Sequence, residues 1–390
     1  YGCMTENSKN DNNGKKLKIV FTGGGTGGHV YPNVALFDDF EKAGFGIAYI
    51  GGTGNTVEKR LARENGVKYY GVQTIKLVRS MSPSAMKNNL SIPFTLSKAV
   101  KECVNVLKKE KPNVVFSKGG FVSLPTVLAA RKLDIPVVAH ESDLTMGLAN
   151  KIAKSKGATI LKANPHSTFD GILVGLPLRK DLFAANKEQS IKTLGIKNPS
   201  GKKILLVLGG SSGAKAINDA IKDNLSALLE RYVVLHVTGK GKAEEKGLKT
   251  SDDKNQNSAN DKNTFQSPIE GGYYVFEYAD EIQNFYAASD LVLSRAGATA
   301  VFEISALKKR ALFVPLPKGV SRGDQIDNAC LAKEYGATVL EQDENFSSSL
   351  CLALKTAEKN PPMKEISVDA NGKIVNVVRD IVWVCKNKKL

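Results

Sequence analysis

Twice in this chain an apolar run opens into a glycine-rich turn and then into a helical pattern. The first is Leu17-Lys18-Ile19-Val20-Phe21, followed by Gly23-Gly24-Gly25-Thr26-Gly27-Gly28-His29 and a helical pattern from near Pro32. The second is Lys203-Ile204-Leu205-Leu206-Val207-Leu208, followed by Gly209-Gly210-Ser211-Ser212-Gly213-Ala214. A strand-to-helix junction stripped of side chains lets the backbone press against a ligand, and the helix start adds unpaired N–H groups and a positive dipole end. Each turn reads as a diphosphate seat, and His29 is the one titratable group at the edge of the first.

The surrounding pattern is α/β. Short apolar runs at Ile19–Thr22, Ile47–Gly51, Val114–Ser117 and Pro136–His140 alternate with helical stretches, the rhythm of a parallel sheet flanked by helices. After Gly175-Leu176-Pro177-Leu178-Arg179 it restarts, with strands predicted at 203–208, Val233–Thr238, Tyr273–Phe276, Leu291–Ser294 and Ala311–Pro315. Two doubly wound, Rossmann-like domains facing a cleft are expected, with ligands beyond the carboxyl ends of the strands. A length of 390 residues suits two cores. The predicted organisation is a polar tail at 1–16, a first domain at 17–178, and a second at 179–371. The polar run 240–272 reads as a surface insertion with too few apolar residues to offset its ordering entropy. The apolar stretch Ile374–Trp383 is expected to return to the first domain, which 372–390 would complete.

Composition narrows the function. The net charge of +16 suits nucleic acid, an anionic membrane surface or phosphorylated substrates. With no aromatic-interleaved basic stripe or zinc-finger spacing, a nucleic-acid partner is not expected. The five cysteines contain no C-x-x-C pair, which argues against a disulfide framework or structural zinc and for a reducing compartment. The start lacks the apolar core of a signal peptide, and no apolar run is long enough to span a bilayer. Ile75-Lys76-Leu77-Val78-Arg79-Ser80-Met81 and Ile92-Pro93-Phe94 mix apolar and basic residues, as an interfacial patch or as a loop tucked into the domain.

The turns also exclude. Neither fits G-x-G-x-x-G followed by an acidic residue about 20 positions later, since Glu41 falls in a helical pattern and the second strand ends in Gly51-Gly52. Neither carries the lysine of G-x-x-x-x-G-K-[ST]. With no Asp-x-Asp and no clustered His/Cys set, no metal and no cofactor are expected. A third strand-to-helix segment, Ser294-Arg295-Ala296-Gly297-Ala298-Thr299-Ala300-Val301-Phe302-Glu303, sets Glu303 either to receive two sugar hydroxyls or to favour the helix dipole from solvent. His140-Glu141-Ser142-Asp143 ends a strand at the same edge, as a hydrogen-bonded cap or as part of a site.

These segments, together with Gly119-Gly120-Phe121, Gly147-Leu148-Ala149-Asn150 and Arg322-Gly323-Asp324-Gln325, occur in the order that resembles the MurG family of bacterial peptidoglycan glycosyltransferases. The resemblance runs from Leu17 to about Glu358. It implies the two-domain GT-B architecture and inverting transfer of N-acetylglucosamine from UDP-GlcNAc to the muramyl 4-hydroxyl of lipid I, the undecaprenyl-pyrophosphoryl-MurNAc-pentapeptide. It also implies peripheral attachment to the cytoplasmic face of an anionic bacterial membrane.

Carried over by position, Thr26, Gly27 and Gly28 would border the donor's diphosphate and sugar, and Arg179, Ser211 and Ser212 would meet the nucleotide or its phosphates. Ala279 would offer its backbone to uracil, Glu303 would take the ribose hydroxyls and Gln325 the GlcNAc hydroxyls. Asp143, Ala298, Thr299 and Asp324 complete the donor set. Phe121, Asn150 and Asn218 would lie on the acceptor side with His29 and Glu141. His29 would be the base, oriented or charged by Glu141, or else a phosphate contact. The sequence departs from the family at Phe121, where tyrosine is frequent, at Asp143 for asparagine, at Ala300 for threonine and at Asp324 for glutamine. The other readings are a transferase to a diacylglycerol-type lipid, a UDP-GlcNAc epimerase of similar architecture, and a non-catalytic nucleotide-sugar sensor.

Overall fold

A computed structural model describes residues 16–73, 92–198, 201–209, 214–239, 265–269, 272–279, 281–319, 323–367 and 369–387. The chain divides into two compact units. The first runs to Arg179 and is resumed at Ser367, and the second is Lys180–Ile366.

The first unit is one sheet built from β1 (Leu17–Thr22), β2 (Phe45–Gly52), β3 (Lys68–Val72), β4 (Val114–Ser117), β5 (Val137–Glu141), β6 (Thr159–Lys162) and β7 (Ile172–Leu173). All pairs are parallel, in the order β3-β2-β1-β4-β5-β6-β7. Because side chains alternate along a strand, β1 serves both faces. Ile19 and Phe21 enter an aromatic layer with Phe37, Phe40, Phe45, Tyr49 and Phe116. Val20 enters the opposite layer with Ile50, Val115, Cys103, Leu107 and Val127. Phe21 meets Phe37 edge-on at 5.2 Å between ring centroids, a geometry that adds about 0.5–1.5 kcal/mol to burial. The helix Ala370–Asn387 buries Ile374, Val375, Val378 and Val382 in that aromatic layer, whereas Trp383 is 66% exposed.

The second unit repeats the plan with β8 (Lys203–Leu208), β9 (Tyr232–Val237), β10 (Phe265–Ile269), β11 (Tyr273–Phe276), β12 (Leu291–Ser294), β13 (Arg310–Phe313) and β14 (Thr338–Val339). The order is β10-β11-β9-β8-β12-β13-β14. Six strands are parallel, and β10 adds to the edge antiparallel to β11. That strand lies within the stretch expected to be a surface insertion, of which 240–264 falls outside the described residues. Its pairing shifts register between Gln266 and Ile269, around Pro268, and an edge strand tolerates a proline that has no N–H for the ladder.

Each central strand is stapled at its amino end by one carboxylate. Glu110 receives Lys68 at 2.7 Å, Lys18 at 3.2 Å and the Tyr70 hydroxyl. Glu358 receives Lys203 at 2.7 Å, Tyr232 at 2.7 Å and Arg231 at 3.3 Å. Burial works against charge on Glu110, but the bonds from Lys68, Tyr70 and Lys18 outweigh it and hold the carboxyl down at about 2. On Glu358 the bonds from Lys203 and Tyr232 outweigh burial, with the same result, about 2.

A carboxyl depressed in the folded state stabilises it above its unfolded pKa of ~4.3, and the contribution fades as pH falls toward the folded value. Melting temperature is therefore expected to drop steeply between these limits in the wild type. Glu110→Gln should melt lower at neutral pH and lose part of that acid dependence. Parallel Tm-against-pH curves for variant and wild type would show that the staple carries no charge-linked stability.

Candidate active site

In each sheet, chain order reverses beside the first strand, between β1 and β4 and between β8 and β12. Ligands of open α/β sheets bind at such points, outside the carboxyl ends of the strands. The first glycine turn sits there, after β1, and Gly209 follows β8 at the corresponding place in the second sheet.

The first turn leaves β1 through Gly23 and Gly25, both with positive φ, and becomes a single 3-10 turn at Gly27–His29. Thr26 stands at its start in extended conformation, with its hydroxyl not used for capping, and Thr26 and Gly28 are exposed. Buried residues hold the turn from beneath. Tyr49 donates to the Gly23 carbonyl at 2.8 Å, and Asn33 donates to Tyr49 at 3.0 Å and to the Thr22 carbonyl at 3.2 Å. A side chain on Gly24 would begin 2.6 Å from the buried Glu58 carboxylate, which would have to shift to admit it. Tyr31 lies 3.1 Å from where a Gly27 side chain would begin, and the Arg179 guanidinium covers its ring at 5.0 Å. Arg179 thus reaches the first turn within its own unit.

The turn after β4 closes against the first. A Cβ on Gly120 (φ +78°) would lie 2.9 Å from the Gly24 carbonyl oxygen and 3.2 Å from Cδ2 of His29. One on Gly119 (φ +87°) would lie 3.2 Å from the Asn150 amide. Asn150 in turn donates to Glu141 Oε2 at 3.0 Å and to the His140 carbonyl at 3.2 Å. His29, the 119–121 turn with half-buried Phe121, Asn150 and Glu141 are therefore gathered at one sheet edge.

Glu141 organises that edge. Its Oε1 accepts from the Ser142 and Asp143 N–H groups at 2.9 and 3.3 Å, and its Oε2 from the Gly147 N–H at 2.9 Å as well as from Asn150. The 142–147 loop is thereby wrapped around a buried carboxylate ahead of the helix Leu148–Ser155. His140 is fully buried, and its Nε2 lies 2.8 Å from the Gly175 carbonyl. A carbonyl only accepts, so that nitrogen carries the proton. Burial and the Lys118 charge push the imidazole well below its ordinary pKa, which keeps it neutral.

In the second unit, residues 210–213 lie outside the described residues, and with them Ser211 and Ser212. The turn after β12 runs through Gly297, where an added side chain would meet nothing within 4 Å, into the helix Ala298–Ala306. Ala298 starts that helix and Thr299 follows half-buried. Glu303 lies in the second turn, is buried, and accepts from the Tyr286 hydroxyl at 3.0 Å, so it is not a solvated helix-start acid.

Arg295 is buried, donating to the Val314 and Pro315 carbonyls at 3.1 and 3.3 Å and to Gln342 at 2.7 Å. Gln325 accepts from the Leu316 N–H at 3.0 Å, so two side chains shape the turn after β13. Asp324 opens the helix Asp324–Glu334 from the left-handed Gly323, and Ala279 is half-buried after β11.

Asn218 sits in this unit's core. Its amide donates to the Thr238 carbonyl at 3.1 Å, which turns its oxygen toward His236 Nε2 at 3.0 Å. The other nitrogen of His236 then accepts from Tyr273 at 2.8 Å, and burial takes the imidazole down to about 3.

Among the described residues no three His, Cys, Asp or Glu side chains gather as a metal site requires, and no helix is long and apolar enough to cross a membrane. Residues 74–91, with the first basic-apolar segment, lie outside the described residues. Phe94, in the first turn of the helix Ile92–Glu110, is 85% exposed.

The sequence matches the N-terminal domain of glycosyltransferase family 28 over residues 19–161 and the C-terminal domain over 204–379. A relative from Clostridium perfringens is 39% identical over 95% of this chain and 98% of its own. It is named UDP-N-acetylglucosamine--N-acetylmuramyl-(pentapeptide) pyrophosphoryl-undecaprenol N-acetylglucosamine transferase. One of the same name from Clostridium tetani is 39% identical over 86% of this chain and 88% of its own. Among solved structures, MurG of Acinetobacter baumannii aligns with a TM-score of 0.64 at 22% identity, covering 94% of this chain and 100% of that one. That likeness speaks for the fold, two Rossmann-like units of the GT-B kind.

Proposed function

Because the chain belongs to the MurG family within glycosyltransferase family 28, we infer that it moves N-acetylglucosamine from UDP-GlcNAc to lipid I, giving lipid II for peptidoglycan synthesis. The observation that carries this reading is identity of 39% spread over 95% of the chain with a transferase of that name.

The reaction breaks the bond between the anomeric carbon and the β-phosphate oxygen, with its electron pair leaving on UDP. The muramyl 4-oxygen forms the new bond, and its proton goes to a base. One direct displacement inverts the anomeric centre. His29 is the base in this reading, riding on the turn nearest the reacting edge of the first unit. Glu141 contributes its charge and the shape it gives the 142–150 loop, beside Phe121 and Asn150. The donor lies against the second unit, with its uracil at the Ala279 backbone, ribose at Glu303, and diphosphate at Ser211, Ser212 and the Ala298–Thr299 helix start. Its GlcNAc hydroxyls meet Asp324 and Gln325. Thr26, Gly27, Gly28, Asp143 and Arg179 border the donor from the first unit. Helix-start N–H groups and the guanidinium stabilise the departing diphosphate.

The acceptor is a lipid, so peripheral attachment to the cytoplasmic face of the membrane follows, with exposed Phe94 and the +16 charge suited to an anionic surface. No nucleic-acid partner is assigned.

The test is a product assay with radiolabelled UDP-GlcNAc and lipid I in anionic or neutral vesicles. Label should appear in a lipid-linked disaccharide, and the enzyme should float with the anionic vesicles. Label on a diacylglycerol, an epimerised sugar nucleotide, or binding without turnover would replace this reading with one of its rivals.

A further inference from the structure

At the carboxyl end of β4 the chain runs Ser117-Lys118-Gly119-Gly120, and Lys118 is 2% exposed. Lysines are almost never buried unless paired. Its Cβ lies 3.1 Å from where a Gly23 side chain would begin, placing the stem under the first glycine turn. Its ammonium, with three N–H donors, makes its hydrogen bond to Ser142 Oγ at 2.5 Å, in the loop that Glu141 organises.

Burial opposes charge on this lysine, while Glu141 and Asp143 favour it. The other titratable or charged groups around the two turns are neutral His140 on β5, His29 across Gly120, Glu58 against Gly24, Tyr49 on the Gly23 carbonyl, and Tyr31 with Arg179 beside Gly27. Glu141 and Asp143 act on the Lys118 charge, and Glu58 lies against Gly24 in the turn above its stem. Lys118 is the buried cation among them. A second polar atom faces the same turn, since Asn150 Oδ1 is buried without a hydrogen-bond partner and lies 3.2 Å from the Gly119 Cβ position.

We propose that Lys118 is a positioning residue for the lipid acceptor, a buried counter-charge to the Glu141–Asp143 strand end that, through Ser142, holds its loop in place. The proposal rests on the transfer reaction inferred above. Loss of the ammonium leaves carboxylates facing carboxylates and the ligand, so protons bind more readily and the anionic acceptor binds less well.

Lys118→Met keeps the stem and removes the charge. Its KM for lipid I is expected to rise about tenfold or more, and the acid limb of its pH profile to move up by about one unit. Its KM for UDP-GlcNAc should rise less than its KM for lipid I, because Asp143 is the one residue of the donor set whose charge acts on Lys118. Lys118→Arg should recover most of the loss. Ser142→Ala keeps the charge, so it should raise the acceptor KM while leaving the acid limb in place.

Carboxylate titration of Glu141 and Asp143 by NMR, without substrate, reads the same charge independently and should show both pKa values raised in Lys118→Met. If the wild type transfers nothing to lipid I, the functional reading fails while this titration still decides the role of Lys118. Unchanged carboxylate titration in Lys118→Met overturns the proposal, as does a wild-type acceptor KM in a folded variant. Should Lys118→Met not fold, a Ser142→Ala enzyme with wild-type acceptor KM overturns it equally.

Discussion

Replacing His29 with alanine is expected to lower kcat by about a hundred- to ten-thousand-fold while UDP-GlcNAc binding stays measurable. The chain has four histidines, and the structure separates them. His140 and His236 are fully buried and spent on Gly175, Asn218 and Tyr273, and burial holds both imidazoles neutral. His166 is exposed after β6. Only His29 rides on a glycine turn at a point where strand order reverses. In the proposed reaction an imidazole there takes the acceptor hydroxyl's proton, and transfer is expected to stall without it. The rival role, contact with a phosphate, predicts a different pattern. A contact is a donor, so His29→Gln would restore it and recover much of the activity, whereas a base cannot be replaced by an amide. We expect glutamine to fare no better than alanine. Recovery by glutamine, or full turnover in the alanine variant, removes the base assignment.

Much of the fold was legible because its strands are continuous apolar runs buried on both faces. Val114–Ser117 and Leu291–Ser294 are buried at every position, which is how parallel strands look in sequence. Strand β3, Lys68-Tyr69-Tyr70-Gly71-Val72, is not a continuous apolar run, since only Val72 is fully buried and Tyr69 and Tyr70 are half-buried. Strand β10 was hidden in a polar run, because edge pairing with β11 rather than hydrophobicity defines it.

At the site, the glycine turns and the His140–Glu141 strand end were readable from residue type at a strand terminus. What lies beneath was not. The burial of Lys118 and Glu58 beside Gly23 and Gly24 comes from tertiary packing. Lys118 did carry one signal, a charged residue closing an otherwise apolar strand directly before two glycines. Arg295 and Tyr286 belong to the same class, since their partners at Val314, Pro315 and Glu303 lie on other elements.

Gly120→Ala is expected to cost nearly as much activity as losing His29, by a wholly different route. Gly120 has φ +78°, and an added Cβ would stand 2.9 Å from the Gly24 carbonyl oxygen and 3.2 Å from the His29 ring. The left-handed conformation alone costs a non-glycine residue about 1–3 kcal/mol, which in a domain of this size is a fall of roughly 2–12 °C in Tm. The close approach adds something strain does not, because a backbone oxygen cannot swing aside as a side-chain end can. The first turn must move, and His29 moves with it. A displacement of about 1 Å at a reacting group is worth about a hundredfold in rate, so turnover should collapse in an enzyme that remains folded. Gly195→Ala is the matched control. Gly195 has φ +63° and open space around it, so alanine there should lower Tm by a similar amount and leave turnover close to wild type. The double variant Gly120→Ala/His29→Ala should be little worse than either single one, because both remove the same positioned imidazole and such losses do not add. Additive losses would mean that the two turns act separately, and the close packing of Gly120 on Gly24 would then serve stability alone.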